Sequence, residues 1–296
     1  MQLSFIVITY GRQDDLYRCL ESIFRQEGLP APYEIILINN GPQETLRLPP
    51  LDDRARLHVE HAPHNLGVCG GRNLGIRLAR GDLLIFIDDD AAWSTPQEVS
   101  RIVGYFAANP RCGGLCGRIL HPDGRLDERH LPYPDKAYAR ALTAPTPAPY
   151  FLGTAHALRA AALGGPEVYP ERYFYAMEEI DLSLRLIDAG WEIVYLPEVA
   201  ARHYTSSEGR LEEVERWQHY SLNKARMAWR LLPLPYPLTT MLIWGVAALI
   251  RTRRPGVALG MLGALWAERT LLRRERRPIR PATVRYLRRI GARLLY

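Results

Sequence analysis

Asp88, Asp89 and Asp90 follow directly on the apolar run 83–87. Acids at the carboxyl end of a buried parallel strand stand on the edge where open α/β sheets bind ligands. Alternation along an extended segment puts Asp88 and Asp90 on one side and turns Asp89 away. Crowded like charges call for a cation, and carboxylate oxygens select hard ions, so Mg²⁺ or Mn²⁺ is expected here. Taken alone, the trio makes a solvated acidic turn as readily as a metal site. A second acidic group, Glu178, Glu179 and Asp181, opens a helical pattern. Positions 178 and 181 share a face of that helix, with 179 turned from them by about 100°. Arg72 heads a glycine-rich helix start, where its fork of donors suits phosphate oxygens. His203 follows a strand, and an isolated histidine there is more often a satisfied structural residue than a ligand.

The elements that must hold these residues read as alternating strands and helices. Residues 3–9 form a β-branched run, and Leu16, Cys19, Leu20, Ile23 and Phe24 then recur at helical spacing. Strands are expected at 34–38, 57–60 and 83–87, with a helix over 65–79 that Gly81 stops. This rhythm predicts an α/β fold with a mostly parallel, doubly covered sheet. Farther on the spacing predicts a helix near 96–108, a hairpin around 121–124 and a proline-rich connector over 132–149. Helical pattern returns at 173–189, a strand at 191–196, and a long helix at 211–231.

The chain has 296 residues, ordinary globular hydrophobicity and a net charge of +6. That total conceals an asymmetry. From Arg251 onward thirteen arginines face only Glu268 and Glu275, a balance of +11 that leaves −5 on the first 250 residues. A polyanion partner, either a nucleic-acid backbone or an anionic lipid surface, is the usual meaning of such a basic end. Residues 231–250 carry no charge, but their prolines leave only 238–250 as clean helix. Thirteen residues reach roughly 20 Å, against about 30 Å of bilayer hydrocarbon. With the apolar stretch 255–267 and flanking arginines, they predict a helical hairpin lying in the cytoplasmic leaflet. Four scattered cysteines exclude a disulfide framework and, with no secretion signal in MQLSFIVITY, point to a reducing, cytoplasmic compartment.

Over residues 3–230 the chain resembles the family-2 glycosyltransferases of GT-A fold, with the flavour of their bacterial rhamnosyltransferase-like members. The motifs come in the family's order. They are Ile6 to Arg12, Glu34 to Gly41, Asn65-Leu66-Gly67 through Gly75, the trio Asp88 to Asp90, Gly153-Thr154-Ala155, Glu178 to Arg185, Ala189-Gly190-Trp191 and His203. The resemblance implies that Thr9, Tyr10, Arg12, Asn39 and Asn65 line a nucleotide pocket. Asp88 then lies near the ribose, Asp88, Asp90 and His203 hold the metal, and Arg72 assists the diphosphate. It also implies an inverting transfer with Glu179 as base and Glu178 in reserve. Asn39 stands where the family usually has aspartate, Gly11 where it has asparagine, and Glu179 where aspartate is commoner.

The expectation is therefore a metal-dependent inverting glycosyltransferase using a nucleoside-diphosphate sugar, of UDP or dTDP type, in envelope or exopolysaccharide synthesis. Its acceptor is a saccharide or a lipid-linked hydroxyl. A catalytic unit over 1–230 and a basic, apolar helical region over 231–296 at the inner face of the cell membrane complete it. A catalytically silent homologue is the alternative that Asn39 and Gly11 keep open. Nucleic acid is not expected as a partner, because the arginines alternate with Leu262, Leu265, Trp266, Leu271 and Leu272. A dinucleotide oxidoreductase is excluded by Thr9-Tyr10-Gly11-Arg12, where a G-x-G-x-x-G turn would stand.

Overall fold

Apolar, β-branched runs dictate the middle of the molecule, since burying them on both faces requires strands covered by helices. The computed structural model describes residues 1–41, 45–165, 167–205 and 211–294. The first half comprises β1 (Leu3–Thr9), α1 (Gln13–Phe24), β2 (Tyr33–Asn39), β3 (Ala55–His61), α2 (Gly67–Leu78), β4 (Leu83–Ile87), β5 (Ala91–Trp93), α3 (Glu98–Ala108) and β6 (Cys112–Leu120). There follow α4 (Lys136–Ala141), β7 (Thr146–Pro147), β8 (Ala155–Arg159), α5 (Glu178–Asp188), β9 (Glu192–His203) and α6 (Glu213–Leu231). The chain closes with α7 (Tyr236–Thr252), α8 (Pro255–Ala267), α9 (Arg269–Glu275) and α10 (Pro281–Arg289).

One sheet runs in the order β3-β2-β1-β4-β8-β6-β9-β5, with β7 paired to β9. The strands β3, β2, β1 and β4 are parallel, as the alternating pattern predicts. Register pairs Thr9 with Asn39 and Asn39 with His61, so the carboxyl ends of three strands finish level. Beyond β4 the sheet is mixed, because β8 runs antiparallel to both β4 and β6 while β6 and β9 run parallel. The α2 helix lies against β1 through Gly75, where a β-carbon would meet Ile6 Cγ2 at 2.5 Å. That close approach carries Arg72 up to the strand ends.

Several elements depart from the sequence expectation. β6 reads CGGLCGRIL and shows no apolar alternation, yet its glycines are demanded by space: a β-carbon on Gly117 would lie 2.3 Å from the Val199 carbonyl oxygen. β8 reads AHALR, which carries no apolar run either. The helix expected from 173 begins at Glu178, because Phe174, Ala176 and Met177 all hold positive φ. The 121–124 hairpin is a tight turn closed by a single bridge, Leu120 to Leu126, and the 132–149 connector contains α4 and β7. α7 starts two residues earlier than the clean run, since proline fits the first helical turn. Its 17 residues still reach only about 26 Å, and among the described residues no helix is long and apolar enough to cross a membrane.

The main core takes in the sheet, α1 to α3, α5 and, from the far end of the chain, Val284 and Leu287 of α10. A satellite cluster of Ala225, Met261, Leu265 and Leu272 joins α6 to α8 and α9.

Candidate active site

The trio after β4 is not exposed as expected. Asp89 and Asp90 are buried, and Asp88 alone keeps a side chain 40% exposed. The alternation argument fails with it, because the chain turns at Asp89-Asp90 instead of staying extended. β5 then pairs with β9, Ala91 opposite His203, and this seals the turn. Asp89 and Asp90 both face Arg12, at 2.8 and 3.3 Å. Burial raises the Asp89 carboxyl to about 7 in spite of Arg12. Asp89, which sequence reasoning set aside, is thus what fixes Arg12 at the end of β1.

The β5–β9 pairing also explains how residues 113 positions apart meet. His203 Nε2 stands 3.2 Å from Asp90 Oδ1, and the Tyr204 amide donates to the Asp90 carbonyl. Among the described residues no three His, Cys, Asp or Glu side chains gather into a complete metal cage. The donor set nevertheless fits a hard divalent ion held partly by its substrate, since such ions commonly take only one or two carboxylates from protein. Asp90 and His203 supply two donors side by side, and the half-open Asp88 borders them.

Arg72 joins this edge to the second acidic group. Its side chain is 4% exposed, and its Nη2 lies 3.5 Å from Asp88 Oδ1 and 3.0 Å from the Gly153 carbonyl oxygen. Its Nη1 lies 3.1 Å from Glu178 Oε1 and 3.4 Å from Glu179 Oε1. Acids from β4 and from α5 therefore converge on one guanidinium, in one crevice. Burial opposes the charge on Arg72, but Glu179 and Glu178 outweigh it and raise its pKa. The two glutamates differ. Glu178 is buried, and that burial, with Glu179 beside it, pushes its carboxyl well above the usual carboxylate range against the pull of Arg72. Glu179 keeps a side chain 20% exposed. Asp181 is fully buried on Tyr173, Arg185 and Arg230, and serves the fold.

The expected nucleotide residues gather at the carboxyl ends of β1 to β3. Thr9 is buried, Tyr10 is exposed, and Asn39 pairs with His61 Nδ1 at 3.1 Å while accepting from the Gly41 amide. Asn65 has a bracing contact: its Oδ1 accepts from Asn40 and from the Gly67 amide, which shapes the entry to α2. Sequence reasoning missed His61, and it missed His156. The latter is stacked 4.6 Å from both Phe86 and Phe151, and its ring nitrogens meet the Gly153 carbonyl and the Tyr169 hydroxyl. The small residues of Gly153-Thr154-Ala155-His156 were the available signal for that close packing.

Comparison with known proteins bears on the family and the fold. The family model described as "Glycosyl transferase family 2" matches residues 4–164. An uncharacterized glycosyltransferase of Bacillus subtilis (strain 168), YwdF, is 32% identical over 102 residues, 34% of this chain and 37% of that protein's length. The N-acetylglucosaminyl-diphospho-decaprenol L-rhamnosyltransferase of Mycobacterium tuberculosis (strain ATCC 25618 / H37Rv) is 24% identical over 250 residues, covering 70% of this chain and 78% of that one. Among solved structures, the mannosyltransferase PcManGT from Pyrobaculum calidifontis, in complex with GDP-Man and Mn²⁺, shares the fold with a TM-score of 0.58. It is 18% identical, over 90% of this chain and 75% of that one.

Proposed function

The chain belongs to glycosyl transferase family 2, and from that premise we propose that it transfers a sugar, with inversion, from a nucleoside-diphosphate sugar to a hydroxyl acceptor. The observation that carries this reading is the convergence of Asp88, Glu178 and Glu179 on Arg72. It supports a diphosphate-side acid and a proton acceptor held close together by one guanidinium.

In this reading Thr9, Tyr10, Arg12, Asn39 and Asn65 border the nucleoside, of UDP or dTDP type, and Arg72, expected at the diphosphate, instead spends its fork of donors on Asp88, Glu178, Glu179 and the Gly153 carbonyl and so aligns the acids. Asp88, Asp90 and His203 would hold Mg²⁺ or Mn²⁺, which when bound supplies Lewis-acid stabilisation of charge on the departing diphosphate. Glu179, the more open acid, takes the proton of the acceptor hydroxyl as its oxygen attacks the anomeric carbon. The bond from that carbon to the diphosphate oxygen breaks, and the nucleoside diphosphate leaves. Glu178, buried against the guanidinium, keeps Arg72 in place.

Residues 1–230 form the catalytic unit, and 231–296 dock it on an anionic membrane at the cytoplasmic face. Exposed Leu238, Leu242, Ile243, Ile250, Leu262 and Trp266, bordered by Arg251, Arg253, Arg254, Arg269 and Arg273, support that docking. A lipid-linked acceptor in envelope or exopolysaccharide assembly follows from it. The relative named N-acetylglucosaminyl-diphospho-decaprenol L-rhamnosyltransferase supports the same acceptor class.

The test is a thermal-shift panel of nucleoside diphosphates with and without Mn²⁺, since a ligand of the native state raises its stability. Asp90→Asn should abolish the metal-dependent part of the shift, and Glu179→Gln should keep the shift but lose turnover. Absence of any nucleoside-diphosphate shift in the unsubstituted protein sinks the reading.

A further inference from the structure

Glu178 and Glu179 owe their aim to the four residues before them. Phe174, Ala176 and Met177 hold φ of 59°, 71° and 73°, a conformation that side chains with a β-carbon rarely adopt. Met177 caps α5 in this left-handed form, with no side-chain cap to share the task. Something outside the loop must over-determine it.

Most of that constraint comes from one buried side-chain amide. Asn223 of α6 is fully buried, and its Nδ2 donates to the carbonyl oxygens of Tyr173, Tyr175 and Ala176 at 2.8, 2.8 and 3.2 Å. The one carbonyl it does not take, that of Phe174, accepts from the Val68 amide at 2.7 Å. Val68 lies one helical turn before Arg72 on α2, so the loop is pinned to the helix that carries the guanidinium receiving both glutamates. The orientation of the Asn223 amide is fixed by its surroundings. Its Oδ1 accepts from Arg226 Nη1 at 2.9 Å, and the reverse orientation would press an oxygen against three carbonyl oxygens. Arg226 in turn donates to the Arg172 carbonyl and to Glu268, where α8 gives way to α9.

We propose that Asn223 is a positioning residue of the reaction: by gathering the carbonyls of the strained 173–176 segment it sets the register in which α5 presents Glu178 and Glu179 to Arg72. It touches no substrate. The inference rests on the reading of that acid pair as the proton-accepting side of the site, and the brace is continuous with the C-terminal helices through Arg226 and Glu268.

The test is Asn223→Ala and Asn223→Asp in the full chain, with Arg226→Met as a variant that leaves the Asn223 amide in place and removes the clamp on its oxygen together with the bonds to the Arg172 carbonyl and Glu268. A displacement of about 1 Å at a reacting group costs on the order of 100-fold in rate. Transfer turnover should fall by that order in both Asn223 variants, and about tenfold in Arg226→Met. The donor KM and the thermal shift given by nucleoside diphosphate with Mn²⁺ should stay within threefold and unchanged, respectively. Hydrogen exchange should rise at the Val68 and Asp181 amides and not in β1 or β4. The proposal is overturned if turnover in a folded variant stays within threefold, if donor binding is lost in step with turnover, or if exchange at those two amides is unchanged. The exchange result stands even if the protein binds no nucleoside diphosphate at all, an outcome that removes the proposed function and leaves the brace to be judged on exchange alone. Should the Asn223 variants not fold, Arg226→Met decides by the same readings.

Discussion

Gly153 has no side chain to spare for Glu179: a β-carbon there would lie 2.0 Å from Oε1 of the carboxylate and 3.2 Å from Arg72 Nη2. The glycine and the glutamate share one volume, and the Gly153 carbonyl holds the guanidinium from the other side. Gly153→Ala must therefore push the carboxylate out of its place while leaving the strand ends untouched. Turnover should drop by at least roughly 100-fold, the cost of a displaced reacting group, with the nucleoside-diphosphate thermal shift retained. Steady-state kinetics beside that shift checks it, and full activity in Gly153→Ala would remove Glu179 from the reaction.

Arg72 faces three carboxyl groups, Asp88, Glu178 and Glu179, and is itself buried. Its replacement by methionine keeps the volume and strips the charge. Breaking a buried ion pair from one side costs about 3–5 kcal/mol, so urea denaturation of Arg72→Met should show a loss of that order. The loss should grow from pH 5 to pH 8, because desolvation already raises the Asp88 and Glu178 carboxyls and without the guanidinium they resist ionisation further, so the folded state forgoes charge that the unfolded chain takes on. A pH-independent loss would mean that the carboxyls do not depend on Arg72.

The parallel half of the fold was legible because its strands are uninterrupted apolar runs, as in 34–38 and 83–87, whose burial has no other solution. β6 and β8 were not, since Gly113, Gly114 and Gly117 answer to the shapes of Trp191, Ile193 and Val199 across the sheet, which no local pattern records. The acids were legible by type, but their meeting was not. Residues 72, 88 and 179 are brought together by topology, and only the family resemblance connected them in advance. The strained segment 174–177 left no signal, for Phe, Ala and Met do not announce positive φ. Nothing in the helical pattern of 211–231 marks Asn223 and Lys224, and both are buried.

Lys224 gives a stability test with a defined sign. Burial lowers its ammonium from 10.5 to about 7, so between those values the unfolded chain holds a proton that the folded protein has released. Stability in that window must rise with pH, and the contribution levels off above 10.5 and below about 7. Lys224→Met removes the titration. The thermal midpoint of Lys224→Met relative to that of the unsubstituted protein should fall steadily as pH is raised from 7 toward 10. Parallel pH curves for the two proteins would place the ammonium's pKa near its ordinary value.

Leu242 and Trp266, on α7 and α8, are 69% and 70% exposed, and neighbouring apolar side chains make a face that water alone does not stabilise. Arg251, Arg253, Arg254, Arg269 and Arg273 are exposed around it, so the surface carries both terms of interfacial binding: apolar area and positive charge. Burial of one such side chain is worth about 1.5–3 kcal/mol, and each arginine near an anionic surface about 1 kcal/mol. Leu242→Ser and Trp266→Ser should each weaken flotation with anionic vesicles by roughly tenfold or more. Neutral vesicles, or high salt with anionic ones, should weaken the unsubstituted protein more steeply still, because several arginines act together. Neither serine variant touches the strand ends, so donor binding should be unaltered in both. If the unsubstituted chain stays in solution with anionic vesicles at low salt, the face has another occupant and the case for a membrane-borne acceptor goes with it.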